Sequence, residues 1–166
     1  MTFLIFIPFM LQTLLITFDE FFFHIKRNLP RWERIGHPID TLSVLAICLF
    51  VLIFPYSQTN LKWFIALSIF SCLLITKDEF VHKHHCPASE QWLHAVLFVN
   101  HPILLASLGV CWPLFHSQEP LSRFKDWLIP SRSLTTLLLI QTVAIGVFCL
   151  YQIIYWNFLC KKKPIE

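Results

Sequence analysis

The sequence predicts an all-α fold, a polytopic membrane bundle of five transmembrane helices, and three observations support this. Hydrophobic residues make up 56% of the 166-residue chain and charged residues only 14%, whereas a soluble domain carries about a quarter charged residues. Five apolar stretches follow one another along the chain, and a polar motif recurs after two of them. We therefore expect one integral membrane domain, 1–166.

The five apolar stretches are the predicted spans, and a membrane helix needs roughly 20 such residues. In chain order they are 2–23, 39–56, 61–76, 92–115 and 133–160. The second and third are the shortest of the five. Pro102 and Pro113 fall inside the fourth stretch, where membrane helices tolerate kinks. The first stretch lacks a basic leader and a small-residue cleavage site, so we expect a retained helix there rather than a signal peptide.

The first four helices are predicted to form a tandem repeat of two helices each. LLITFDEF at 14–21 recurs as LLITKDEF at 73–80, and a histidine follows within three residues in both copies. Each copy then continues as P-x-x-E-x-x-x-H. The repeats cover about 3–56 and 61–116, and the fifth helix, about 133–160, lies outside them. Parallel repeats of this kind are related by a pseudo-twofold axis along the membrane normal.

The basic residues predict the orientation of the bundle. With five spans, the segments 24–38, 77–91 and 161–166 share one side, which holds nine of the 13 lysines and arginines. The positive-inside rule places that side, with the C-terminus, in the cytoplasm. The basic excess also suits anionic lipid head groups, and nothing in it indicates a nucleic acid partner.

Acids and histidines concentrate on the same predicted cytoplasmic side. An ionised acid within the bilayer costs up to about 2.5–3.5 kcal/mol, so the Asp-Glu pairs that end two apolar helices need cationic partners. Lysine and arginine side chains nearby are one possibility: Lys26, Arg27, Lys77 and Lys83. They leave the histidines unexplained, whereas carboxylates and imidazoles together suit iron, manganese or zinc.

Four Glu/His pairs are the predicted metal ligands. Their members lie three or four residues apart, so each pair shares a helix face. The pairs are Glu20/His24, Glu33/His37, Glu79/His82 and Glu90/His94. The four glutamates balance two divalent cations, for which iron is preferred and manganese or zinc is possible. Asp19 and Asp78 are expected to orient the ligands without binding the metal themselves.

Four further residues keep two interpretations each. His84, His85 and Cys86 have no counterpart in the first copy, and they either serve the metal, in its delivery or as additional ligands, or form part of a solvated loop. His101, beside Asn100, either lines a substrate cavity at mid-depth or bonds to a neighbouring helix.

The ligand order is similar to that of ferritin-like di-iron carboxylate bundles. It runs Glu20, Glu33-x-x-x-His37, Glu79 and Glu90-x-x-x-His94, with three residues between Glu and His where that family has two. His82-Lys83-His84-His85 resembles the histidine boxes of membrane-bound fatty acid desaturases and hydroxylases, H-x-x-x-H and H-x-x-H-H. The resemblance covers about 14–102, and it implies dioxygen chemistry at a di-iron centre.

The leading hypothesis is therefore a membrane di-iron oxidoreductase that hydroxylates or desaturates a lipid-soluble substrate at the cytoplasmic face. The chain has no Rossmann, haem or flavin motif, so a separate electron donor is required. A zinc-dependent membrane hydrolase is one alternative, although H-E-x-x-H is absent. A metal-ion carrier is another, although its site belongs near the midplane. A structural protein whose acids pair with lysine and arginine is the last.

Overall fold

The computed structural model describes residues 5–119 and 132–160, and for 78–85 and 132–133 it describes the backbone alone. The described chain is helical, and strands are absent from these ranges. The longer helices are α1 Ile7–Phe18, α3 Arg31–Ile53, α4 Gln58–His85, α5 Ala88–Phe115 and α6 Arg132–Ile154. The π-helix π1, Asp19–His24, and the short helix α2, Ile25–Arg27, follow α1, and the π-helix π2, Tyr155–Leu159, follows α6.

Four helices are long and apolar enough to cross a membrane, as judged by length and composition. The segments are Arg31–Ile53, Gln58–Lys77, Ala88–Phe115 and Leu134–Leu159. Large apolar side chains on the outside of the bundle, such as Leu73, Val99 and Val147, are well exposed, which fits lipid contact. The all-helical, membrane-spanning class predicted from the sequence is confirmed at this level.

The first predicted span has a different form from the other four. Helix α1 has 12 residues, a length of about 18 Å, which is shorter than the roughly 30 Å hydrocarbon core. It runs along the first half of α5 in the opposite direction, because Asn100 Nδ2 donates to Pro8 O at 2.8 Å and His94 Nε2 lies 2.8 Å from Asp19 Oδ2. The count of five spans and the two-helix repeat therefore stay predictions.

The hydrophobic core lies around Trp112, between α3, α4 and α5. The buried Trp112 indole donates from Nε1 to Phe54 O at 2.8 Å. Gly109 allows α4 and α5 to approach closely, because a Cβ there would lie 2.9 Å from the Phe64 ring. This packing holds one end of the bundle together, and the acids and histidines gather at the other end, where α3 and α5 begin.

Candidate metal centre

Acid and histidine side chains from three elements converge at the end of the bundle where α3 and α5 begin. Two groups each bring their ligand atoms within 4.8 Å of one another. Group A comprises Asp19, His24, Glu90 and His94, and group B comprises His24, Glu33 and His37. Because His24 belongs to both, the two groups form one buried centre, in which Glu33 and Glu90 are 0% exposed.

The π-helix π1 brings two successive acids to one imidazole. Its hydrogen bonds span five residues, as Ile25 N–H to Glu20 O does, so its turn is wider than an α-helical turn. Asp19, five residues before His24, places Oδ2 3.1 Å from His24 Nε2. Glu20, four residues before it, places Oε2 3.2 Å from Nδ1. An ordinary α-helix would direct one of these acids away from the ring.

Helices α3 and α5 begin in the same way, which explains the P-x-x-E-x-x-x-H pattern. Pro30 precedes α3 with φ −61° and ψ 157°, and Pro87 precedes α5 with φ −63° and ψ 156°. Glu33 and Glu90 lie in the first turn, where the helix dipole stabilises a carboxylate. The histidine of each pattern follows one turn later on the same face. The pattern is therefore a helix start that directs a Glu and a His to one side.

Arg27 connects the two helix starts through their glutamates. Its Nη2 atom lies 2.8 Å from Glu33 Oε2 and 2.8 Å from Glu90 Oε1. Burial alone would lower the pKa of Arg27, but the bonds to the two carboxylates outweigh this and raise it, so the guanidinium stays charged. The pairing of acids with arginine, one of the interpretations of the sequence, is thus present here beside the histidines.

The charge of His24 follows from its two carboxylate neighbours. Burial by itself would lower the pKa of the imidazole, because it disfavours the charged form. The hydrogen bonds and negative charges of Asp19 and Glu20 outweigh that effect and raise the pKa of His24 to about 10. The imidazolium therefore places one positive charge between the two buried carboxylates.

Glu20 lies behind His24 rather than in either ligand group. Its Oε1 accepts hydrogen bonds from Tyr151 Oη at 3.0 Å and from Trp156 Nε1 at 2.8 Å, and its Oε2 faces His24 Nδ1. All of these contacts hold the carboxylate in place against the imidazole. In this arrangement Glu20 orients His24 and Asp19 faces the ligand centre, whereas the sequence suggested the reverse.

Arg34 fixes the segment that presents Trp156 to Glu20. It is buried, and it donates from Nη1 to Trp156 O at 3.0 Å, from Nη2 to Asn28 Oδ1 at 2.9 Å and from Nε to Leu29 O at 3.1 Å. These bonds join the loop before α3 to π2. Neither Arg34 nor the aromatic partners of Glu20 were identified from the sequence, because 122 to 136 residues separate the bonded positions.

The structure brings together five of the eight predicted ligands, places Glu20 behind His24, and does not describe the side chains of the remaining two. Those that meet in the two groups are His24, Glu33, His37, Glu90 and His94. The side chains of Glu79, His82, Asp78, His84 and His85 lie outside the described residues. Cys86 is buried just after α4, and its carbonyl accepts a bond from Gln91 Nε2 at 2.9 Å.

A cavity of about 650 Å³ extends from the centre into the bundle between α1, α3, α5 and α6. Asp19, His37 and His94 border one end, and along α5 the lining continues through Phe98 and His101 to Leu104. Most of the wall is apolar. The sequence left two interpretations of His101, and the structure shows both. His101 lines the cavity, and its Nε2 also contacts Ser71 Oγ on α4.

The cavity opens sideways between α1 and α6. Thr13, Thr17, Ala144 and Val147 line it and are also exposed on the outer face of the bundle. Helix α1 packs mainly on α5, and α6 mainly on α3. A side-chain bond from Gln141 Nε2 to Thr13 Oγ1, at 2.7 Å, bridges the gap between α1 and α6. The cavity is therefore accessible from the surface of the bundle between these two helices.

The donors of the centre fit a bound divalent cation. Asp19 Oδ1 and Glu90 Oε2 are buried and have no hydrogen-bond partner among the described residues. A buried acceptor left without a partner costs about 1–3 kcal/mol, and more when it is charged. A cation between the two carboxylates and the imidazoles would remove that cost, and mixed oxygen and nitrogen donors suit iron, manganese or zinc.

Comparisons with protein-family models, with curated proteins and with solved structures find no significant match to this chain. The geometry of the centre and of its cavity therefore carries the functional argument.

Proposed function

We propose that this protein is an integral membrane metalloenzyme that hydroxylates or desaturates a lipid-soluble substrate at a two-iron centre. The observation that carries the proposal is the mainly apolar cavity that ends at Asp19, His37 and His94, which belong to the two ligand groups. A cavity of about 650 Å³ lies in the size range of small-molecule sites, roughly 300–1,000 Å³.

Some residues of this centre would bind the cations, and others would orient those ligands. Group A would hold one cation, and Glu33 and His37 would hold a second, with His24 lying between them. Glu20 keeps His24 Nδ1 engaged from behind, and ligand orientation of this kind typically contributes 10–100-fold in metal affinity. Arg27 holds Glu33 and Glu90 in register across the two helix starts.

The overall reaction sets what must be supplied from outside. Iron, when bound, supplies the activation of dioxygen. Hydroxylation takes one dioxygen, one C–H bond, two electrons and two protons, and it gives one alcohol and one water. The chain's motifs supply no redox cofactor, so a separate one-electron carrier provides the electrons, at the membrane face where α3 and α5 begin.

Access from the membrane supports a lipid-soluble substrate. The gap between α1 and α6 connects the cavity with the lipid-facing surface through Thr13, Thr17 and Val147. An apolar chain could enter there and place a carbon near the ligand end without passing through water. The apolar walls, which include Phe98 and Leu104, would then exclude water from the reaction.

A zinc-dependent hydrolase is the second candidate, and one observation favours it. Arg27 already contacts Glu33 and Glu90 at 2.8 Å each, so a positive charge occupies the neighbourhood of group B. A single metal in group A satisfies the remaining donors, and bound zinc activates water against a lipid ester or amide.

Metal content separates these functions. The protein is purified in detergent under anaerobic, metal-replete conditions, and iron, manganese and zinc are quantified per chain. We expect two irons, and we expect Glu90→Gln to lose metal while the matched change Glu119→Gln, in an exposed loop, does not. One zinc without iron would select the hydrolase. Neither metal, in protein that remains folded, would reject both functions.

A further inference from the structure

A chain of hydrogen bonds inside the bundle fixes the position of a proton on His101. Ser43 Oγ donates to Asp40 O at 2.7 Å, and because a carbonyl only accepts, the single hydroxyl proton of Ser43 is committed there. Ser71 Oγ lies 2.7 Å from Ser43 Oγ, so Ser71 must be the donor in that bond. The proton of Ser71 is then also committed, and the 3.0 Å bond to His101 Nε2 needs a proton from the imidazole.

This count determines what His101 offers to a ligand. With Nε2 protonated, Nδ1 of the neutral ring is a hydrogen-bond acceptor. His101 is only 2% exposed and lines the cavity. Among the described residues its one hydrogen bond is the bond to Ser71. An acceptor nitrogen is therefore left over at a buried position beside the cavity.

The same counting at Gln12 yields a donor in the same cavity. Asn100 Nδ2 donates to Pro8 O and to Gln12 Oε1, both at 2.8 Å. The carbonyl of Pro8 can only accept, so the amide of Asn100 is fixed and Gln12 must accept through its oxygen. Gln12 also lines the cavity, and its Nε2 is the group that remains to donate.

We propose that His101 Nδ1 accepts a hydrogen bond from the hydroxyl group of a long-chain, otherwise apolar alcohol bound in the cavity. A hydroxyl group donates and accepts at once, so it matches the acceptor of His101 and the donor of Gln12. His101 lies seven residues beyond His94 on α5, about 10 Å along the helix. A chain that extends from this point towards the ligand end would reach the candidate centre. That this alcohol is the substrate rests on the proposed function.

Binding to the metal-free protein tests this site. Tritiated 1-dodecanol is bound to protein in lipid nanodiscs and displaced by unlabelled 1-dodecanol or by its methyl ether, which has the chain but no donor. We expect the alcohol to bind about tenfold more tightly than the ether, as one buried hydrogen bond allows. His101→Phe removes this preference. Ser71→Ala reduces it, because the tautomer is no longer fixed, whereas Ser107→Ala, whose hydroxyl donates to Ile103 O, does not.

Equal binding of alcohol and ether by the unaltered protein would overturn the proposal. If His101→Phe does not fold, ¹⁵N spectra of histidine-labelled protein decide, because Nδ1 of His101 must be unprotonated and must shift when 1-dodecanol is added. A protonated Nδ1 would contradict the hydrogen-bond count. Metal is absent from these binding measurements. A protein that prefers the alcohol but takes up no metal in the separate metal assay rejects the proposed function alone. A protein that takes up metal but binds the alcohol and the ether equally rejects this site alone.

Discussion

At the scale of single residues, Glu20 determines which nitrogen of His24 faces the centre. The Trp156 indole is a donor only, so the oxygen 2.8 Å from it must accept. With a carboxylate, the second oxygen also accepts, and it takes the proton of His24 Nδ1, 3.2 Å away. When a cation displaces the other proton of the imidazolium, the lone pair is left on Nε2, the atom that faces Asp19 and Glu90.

Glu20→Gln should therefore weaken metal binding even though the side chain keeps its shape. Trp156 holds the amide oxygen, so the NH₂ group faces Nδ1, and His24 must place its proton on Nε2, where it blocks a cation. We expect a loss of about 10–100-fold in affinity, measured by titration against a competing chelator. Glu119→Gln is the matched control. Adding Trp156→Phe frees the amide to rotate and should restore part of the affinity, and unchanged affinity in Glu20→Gln would contradict this role.

At the scale of elements, what the sequence reveals depends on how local the structure is. The P-x-x-E-x-x-x-H pattern was readable because a proline and a helix start place Glu33 and His37 within one turn of each other. The position of Asp19, rather than Glu20, in group A was not readable, because it depends on π1. Residues such as DEFFFH carry no evident signal for a π-helix, which tertiary contacts to α3, α5 and α6 stabilise here.

The gap between α1 and α6 provides a prediction about substrate entry. Ala144 lines the cavity, whereas its neighbour Val143 is exposed and does not line it. Ala144→Trp should fill the opening and reduce binding of a spin-labelled long-chain alcohol at least severalfold, without changing the metal content. Electron paramagnetic resonance measures the immobilised fraction of the label. Val143→Trp adds the same indole to the lipid face and should leave binding intact, and equal loss in both variants would mean that the entry lies elsewhere.

At the scale of the whole molecule, hydropathy predicts the helices that cross the membrane but not how they pack. The four long spans are recognisable from composition alone. The contacts that build the centre join distant positions: 63 residues separate Arg27 from Glu90, and 131 separate Glu20 from Tyr151. The cavity likewise requires four helices to be placed correctly. A single sequence therefore shows which residues could form such a site, but it does not show which of them contact each other.

The number of spans is the remaining prediction, and the positions of the two termini decide it. Five spans place the termini on opposite sides of the membrane, and the four helices long enough by themselves place them on the same side. Pro8 lies beside Asn100, near the middle of α5, so helix α1 begins partway along α5. We expect opposite sides, because the first apolar stretch, 2–23, has 22 residues, and roughly 20 apolar residues are enough to cross the hydrocarbon core. Epitope tags at each terminus, exposed to protease in sealed inside-out vesicles, provide the measurement. Cleavage of the C-terminal tag alone supports five spans. Cleavage of both tags supports four spans and contradicts the fifth.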